Sequence, residues 1–307
     1  MAVATGREPF LGFVGLGKMG GAMAAHLQET GCELAIHDLS PEAGAALVEA
    51  GARWHDSPAG VASEASVVLL SLPGPPEVET VLRGERGLLA ALRPGAAIVD
   101  LSTNSVDGVR KLAGECRAAG IDFLDAPVSG GVQGARKGTL VVMVGGRSEA
   151  LEEVRPVLER LSRSILHFGE SGAGSAAKLV HNQFYLCGEV LFYEALVLAT
   201  KAGIAAPDLV DLLRSTGAGG VHAQLADRVL ERRFDDDTFA LALAEKDVAL
   251  ALEAARDLSV PMPATAAAHE LFVEARSRGL ERENFWAAIE VLEERAGVRL
   301  SPRPSKD

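Results

Sequence analysis

Apolar residues in the first half of the chain fall in short runs. Residues 11–14, 33–37, 66–70, 97–100, 121–125, 140–144 and 164–168 are the clearest, and each reads as a strand. Between most of them the apolar positions recur at helical spacing, as in Pro41–Ala50 and Val106–Ala119. Such alternation predicts a mostly parallel sheet with helices on both faces, an α/β domain. The pattern changes after Gly169. Gly172-Ala173-Gly174 opens a long helical stretch to about Gly203, and helical periodicity continues over 207–215, 221–233, 239–258, 263–278 and 285–295. An α/β domain over 10–172 and an all-α domain over 173–300 are expected, joined by one long interdomain helix. Residues 1–9 and 301–307 read as flexible tails, since neither has a partner for a core.

One junction carries chemistry. Phe13-Val14-Gly15-Leu16-Gly17-Lys18-Met19-Gly20 places a Gly-x-Gly-x-x-Gly fingerprint where the first strand becomes a helix. There Gly15 permits the tight turn, Gly17 lets backbone approach a pyrophosphate, and Gly20 lets helix and strand pack closely. The pyrophosphate would sit on the helix N-terminus, where N–H groups and the macrodipole favour negative charge. The α/β domain is therefore expected to be of the Rossmann type. The second strand ends in Asp38, about 20 residues on, where a carboxylate grips the ribose hydroxyls of NAD and repels the extra phosphate of NADP. Leu39-Ser40-Pro41-Glu42 offers no cation, so NAD is favoured over NADP. Asp38 can equally cap the turn before the helix at Pro41.

Composition narrows the classes. Of 307 residues, 48% are hydrophobic and 23% charged, enough apolar surface for a sizeable core. A net charge of −12 argues against nucleic acid as a partner. It leaves room for an anionic substrate, because cations can be focused in a cleft. Cys32, Cys116 and Cys187 are scattered, with neither disulfide nor zinc spacing, and suit a reducing cytoplasm. No secretion signal and no apolar run long enough for a bilayer is expected, the best candidate, 184–200, being interrupted by Glu189 and Glu194. The expected protein is cytoplasmic, metal-free and away from membranes.

Two further segments could do chemistry. Lys178 lies about one turn into the helix that opens at Gly174, and Asn182 is four residues on, so both project from one face. A helix N-terminus and burial both disfavour a charged lysine, and a neutral lysine can take a proton from an alcohol. Taken alone, a Lys and an Asn at this spacing are more often a solvated face. Asp125-Ala126-Pro127-Val128-Ser129-Gly130-Gly131 follows a strand, and its hydroxyl and glycine amides suit a substrate carboxylate as well as they suit a plain turn.

Together these blocks resemble the β-hydroxyacid dehydrogenase family, which includes 3-hydroxyisobutyrate dehydrogenase and tartronate semialdehyde reductase. The matching stretches are Gly12-Phe-Val-Gly-Leu-Gly-Lys-Met-Gly, Asp125 to Ala135, Gly138-Thr-Leu-Val-Val-Met-Val-Gly-Gly, Gly172-Ala-Gly-Ser-Ala-Ala-Lys-Leu-Val-His-Asn and Lys246-Asp247, in family order over most of the chain. The resemblance implies that Lys178 is the catalytic lysine and Asn182 the asparagine that positions substrate. It implies that Ser129, Gly130 and Gly131 hold the substrate carboxylate. Leu72, Pro73 and Thr103 would line the cofactor with Gly15, Leu16, Gly17, Lys18, Met19, Gly20 and Asp38, and Lys246 would close over nicotinamide and substrate. The implied reaction is reversible hydride transfer between NAD and a small 3-hydroxy acid, 3-hydroxyisobutyrate-like, or its semialdehyde. Alternatives are an imine reductase, which usually lacks the lysine, and a non-catalytic dinucleotide-binding module. Where family members often carry a first asparagine, this chain has His181, for which a structural role is expected. His222 reads as a surface or interdomain residue. Phe184, Tyr185, Leu191, Phe192 and Leu196 on the long helix suit a subunit interface, hence a homodimer or homotetramer, or else the core of the helical domain.

Overall fold

Strands buried on both faces of a parallel sheet must be apolar along their length, and the short runs of the first half obey this except the last, at 164–168, which is largely exposed. In the computed structural model, which describes residues 10–235 and 237–302, they form β1 (Phe10–Val14), β2 (Glu33–His37), β4 (Val67–Leu70), β5 (Ala97–Asp100), β6 (Asp122–Asp125), β8 (Leu140–Gly145) and β9 (Ser162–Gly169). Two further strands, β3 (Arg53–Trp54) and β7 (Val128–Ser129), are too short to leave any periodicity in the sequence. The tails expected at 1–9 and 301–307 lie outside the described residues, apart from Ser301 and Pro302.

The strands pair in the order β3-β2-β1-β4-β5-β6-β8-β7, with β9 on β8. From β3 to β6 every pairing is parallel. The chain therefore winds outward from β1 to β3 and returns to β4, so the order reverses between β1 and β4. Ligands in such sheets bind beyond the strand ends at that reversal. The far edge departs from the parallel pattern, since β8 runs antiparallel to both β6 and β7.

Helices cover both faces. Against one face pack α1 (Lys18–Glu29) and α7 (Ser148–Leu161), burying Met23, Leu27, Leu151, Val154 and Leu158 on Leu11, Phe13, Ile36, Leu69 and Val99. Against the other pack α3 (Pro58–Glu64), α4 (Pro75–Arg83) and α5 (Val106–Ala118), burying Val61, Val78, Leu82, Val109 and Leu112 on Val14, Val68, Leu70, Ile98 and Phe123. Each such side chain contributes about 1.5–3 kcal/mol when fully buried. The expected helix at Pro41–Ala50 is a 3-10 turn, Pro41–Gly44, followed by the short α2 (Ala45–Glu49). The substrate-loop candidate leads from β7 into α6 (Gly131–Arg136).

Beyond the sheet the chain is helical: α8 (Ala173–Lys201), α9 (Ala206–Thr216), α10 (Gly220–Leu230), α11 (Leu241–Asp257), α12 (Pro263–Ser277) and α13 (Ile289–Ala296). Chain contacts define two compact units, one ending at Lys178 and one starting at Leu179, so α8 begins in the first and continues in the second. The second unit has its own core, with Leu186, Phe192, Tyr193 and Leu196 of α8 packed among Val248, Leu271, Phe272, Phe285 and Trp286. Phe192 and Leu196, read from sequence as either interface or core, are thus core, and Tyr185 packs partly buried against them. Phe184 and Leu191 face solvent.

Candidate active site

At the carboxyl end of β1 the backbone must turn sharply, and Gly15 does so with φ +93°. Its amide donates to His37 O at 3.0 Å. A Cβ on Gly20 would lie 1.9 Å from Gly15 O, so only glycine lets α1 start this close to the strand. Gly17 differs, because a Cβ there would meet nothing within 4 Å. Its outer face is open, as backbone that receives a ligand must be. α1 starts with Gly17 as its cap and has no acidic residue in its first turn, leaving a helix N-terminus suited to an anion. These features fit the pyrophosphate of a dinucleotide. Asp38 closes the same loop: Oδ2 accepts the Leu16 amide at 2.6 Å and Oδ1 accepts the Ser40 amide at 2.9 Å. The carboxylate thus both caps the turn and anchors the fingerprint.

The ends of β4 and β5 are organised by one buried carboxylate. Asp100 accepts the Ser102 amide and the Asn104 side-chain amide, each at 3.0 Å. Ser102 Oγ in turn accepts the Leu72 amide at 2.9 Å. The predicted cofactor-lining residues Leu72, Pro73 and Thr103 therefore sit on turns shaped by Asp100. Burial pushes the Asp100 carboxyl up to about 6, against the opposing donation from Ser102 and Asn104. Sequence reasoning missed Asp100, although an acid closing an apolar strand is the signal that marked Asp38.

Ser129, Gly130 and Gly131 form the bend from β7 into α6, with Gly130 at φ +136° and Gly131 at φ +63°. Lys178 lies in the same unit, buried, and its Nζ donates to Val128 O at 2.7 Å. The lysine and the loop are thus neighbours, although 49 residues separate Ser129 from Lys178.

One turn further along α8, Asn182 is also buried. Its Nδ2 donates to Asp247 Oδ2 at 2.6 Å. His181 Nδ1 lies 2.9 Å from Asn182 Oδ1. An amide oxygen can only accept, so His181 carries hydrogen on Nδ1. Lys246 Nζ stands 3.1 Å from Asp247 Oδ1. The chain His181–Asn182–Asp247–Lys246 pins the Asn182 amide by both ends and leaves its second N–H to donate. Asp247 follows Lys246 in a matching sequence block, but nothing local in the sequence shows what it would contact. His222, read from sequence as a surface or interdomain residue, is partly buried. It lies within the helical unit, its Nδ1 2.5 Å from Glu189 Oε2, and stacks on Tyr185 with centroids 5.4 Å apart. Burial pushes the Glu189 carboxyl up, and His222 opposes that.

The fold is a dinucleotide-binding α/β unit followed by a helical unit, the plan of a nicotinamide-dependent dehydrogenase. Residues 10–169 match the NAD binding domain of 6-phosphogluconate dehydrogenase, and residues 172–292 match the family described as NAD-binding of NADP-dependent 3-hydroxyisobutyrate dehydrogenase. The chain is 38% identical to 2-(hydroxymethyl)glutarate dehydrogenase of Eubacterium barkeri, over 95% of this chain and 97% of that protein. It is 36% identical to 3-hydroxyisobutyrate dehydrogenase of Pseudomonas aeruginosa, over 88% and 95%. Among solved structures it resembles Mycobacterium tuberculosis 3-hydroxyisobutyrate dehydrogenase with L-serine, with TM-score 0.84, 32% identity and coverage of 93% and 99%. The chain belongs to the β-hydroxyacid dehydrogenase family and is an NAD(P)-dependent oxidoreductase of that class. Among the described residues no helix is long and apolar enough to cross a membrane.

Asp100 makes stability depend on pH. Its carboxyl loses a proton near 3.8 when unfolded and near 6 when folded. Between those values the folded state holds the extra proton, so stability falls as pH rises, by about 3 kcal/mol in all. Asp100→Asn is expected to remove this slope. Urea unfolding of both proteins at pH 4 and pH 7 measures it, and an unchanged slope in the variant would refute the assignment.

Proposed function

We propose that this protein oxidises, reversibly, a small acid carrying a hydroxymethyl group on the carbon next to its carboxylate, with Lys178 as general base and acid. The observation that carries this reading is the buried Lys178 amine held at Val128, the residue preceding the Ser129–Gly131 loop. A base and a carboxylate grip on adjoining residues define a distance, and 3-hydroxy acids match it by having alcohol and carboxylate on neighbouring carbons. The names of the relatives agree: 2-(hydroxymethyl)glutarate, 3-hydroxyisobutyrate and L-serine share that arrangement.

In this reading the Ser129 hydroxyl and the Gly130 and Gly131 amides hold the substrate carboxylate. Lys178, neutral, takes the hydroxyl proton as the alcohol is oxidised and returns it in reduction. Asn182 donates its remaining N–H to the same oxygen, oriented by His181 and Asp247. Gly15, Leu16, Gly17, Lys18, Met19 and Gly20 would hold the dinucleotide pyrophosphate, with Leu72, Pro73, Thr103 and Lys246 along its length. When bound, the nicotinamide supplies the hydride acceptor or donor. We favour NAD over NADP because an acid closing the second strand, here Asp38, disfavours a phosphate on the adjacent ribose, and Glu42 follows it with no cation between. A cytoplasmic location is consistent with the scattered Cys32, Cys116 and Cys187, two of them buried.

The same helix suggests how copies assemble. Val180, Phe184, Leu191 and Leu198 recur along one side of α8 and are 66–78% exposed. A continuous apolar stripe of this kind marks an interaction surface, and we propose that it joins subunits in a homodimer or homotetramer.

Three outcomes are expected. Lys178→Ala lowers turnover on 3-hydroxyisobutyrate, L-serine and 2-(hydroxymethyl)glutarate by about 100- to 10,000-fold while NADH binding, read by fluorescence, stays close to wild type. Near-normal turnover would refute the base. The wild type prefers NAD in kcat/KM, and Asp38→Ser narrows that preference by about tenfold or more, the equivalent of about 1.4 kcal/mol. Equal use of both cofactors by the wild type would contradict the role given to Asp38. The double variant Phe184→Glu, Leu191→Glu sediments as a monomer where the wild type does not, and a wild-type monomer at micromolar concentration would remove the interface.

A further inference from the structure

We propose that Asp125 is the positioning residue that sets where Lys178 stands. This rests on Lys178 being the acid and base, and it assigns a task to a carboxylate that the reaction itself does not use.

Asp125 closes β6, in register with Asp100 on one side and Gly145 on the other. Its carboxylate is 1% exposed. Oδ1 accepts the amide of Gly172 at 2.8 Å, and Oδ2 accepts the amide of Ser175 at 2.7 Å. Those amides belong to the entry and first turn of α8. Three residues beyond Ser175 comes Lys178. Three residues beyond Asp125 comes Val128, whose carbonyl accepts from Lys178 Nζ. The segments 125–128 and 172–178 are therefore tied at both ends, twice by the carboxylate and once by the lysine itself. The residue after Val128 opens the Ser129–Gly131 loop, so the lysine and the carboxylate grip share one support.

A helix needing only a cap obtains it from its own preceding residue, as α3 does from Ser57 and α5 from Ser105. Here the acceptor comes from 47 and 50 residues away. It also comes at a desolvation cost, since burial pushes the Asp125 carboxyl up, opposed first by the donated Gly172 and Ser175 amides. What a long-range cap adds over a local one is place: it fixes the helix start to the end of β6. The surroundings are built to keep that approach short. A Cβ on Gly145 would lie 2.6 Å from Asp125 Oδ1, and one on Gly174 would lie 2.4 Å from Met143 O and 2.5 Å from Asp125 O. Larger residues at either position would push α8 away from the strand.

The test is a double-mutant cycle on the holoenzyme with 3-hydroxyisobutyrate or L-serine, using Asp125→Asn, Lys178→Ala and the pair. Asp125→Asn keeps the shape and loses one acceptor. Expected is a fall in kcat of about 10- to 100-fold, the size of effect produced by a displacement near 1 Å, with KM and NADH binding within about threefold of wild type. In the Lys178→Ala background the same change is expected to do almost nothing, because a residue that acts through the lysine has nothing left to position. Equal losses in both backgrounds, or full turnover in Asp125→Asn, would overturn the proposal. If Lys178→Ala itself turns over normally, the base assignment fails instead. Should Asp125→Asn not fold, Asp125→Glu serves: it keeps both acceptor oxygens one methylene further out, and is expected to bind NADH and turn over slowly. Wild-type turnover in that variant would equally overturn the proposal.

Discussion

Parallel pairing from β3 to β6 is the constraint on which the rest depends. Because these strands run one way, each ends at the same edge of the sheet. Gly15, Asp38, Ser71, Leu101 and Ala126 are the residues that follow β1, β2, β4, β5 and β6. The turns after these strands therefore open at one edge of the sheet, over an apolar floor. Only the backbone needs to depart from ordinary geometry there, and glycine supplies the departures.

A second theme is what holds those turns still. Three aspartates do the work, each closing a strand or its following turn. Asp38 holds the fingerprint, Asp100 holds the turns after β4 and β5, and Asp125 holds the start of α8. Their partners are mainly backbone amides, which lose little conformational entropy on pairing. Surface ion pairs such as Arg83–Glu115 and Arg147–Asp122 are exposed and screened, and pairs of that kind contribute at most about 1 kcal/mol. The buried carboxylates carry a desolvation penalty instead, visible in the raised Asp100 and Asp125. Stability is given up where the geometry of a turn matters most.

The helical unit repeats the device with side chains. Asp247 accepts from the Asn182 side-chain N–H while His181 donates to its oxygen, so an amide that could flip is held one way. His181, the departure from the asparagine that the resemblance implies, has a structural task here: its imidazole N–H donates to the Asn182 oxygen. Glu189, buried, and His222, partly buried, form a separate pair, with the His222 ring stacked on Tyr185 and Phe192.

Much of this was written in the sequence. Strand edges fell within a residue or two, because a strand buried on both faces must be apolar throughout and stops where polarity returns. Loop glycines at Gly15, Gly17 and Gly20 were legible because their spacing reflects backbone geometry, which is local. The long helix was legible from its uninterrupted periodicity. Short β3 and β7 were not, since two residues carry no period. Nor was the division of α8 into a buried side, with Phe192 and Leu196, and a bare side, with Phe184 and Leu191. Both sides are apolar, and only packing tells them apart. Hidden too were the partners of Asp125, Asp247 and His222, which lie tens of residues away along the chain. Local order depends on neighbours in sequence and can be read there. Which carboxylate meets which amide depends on the folded path of the whole chain, and only the tertiary structure decides it.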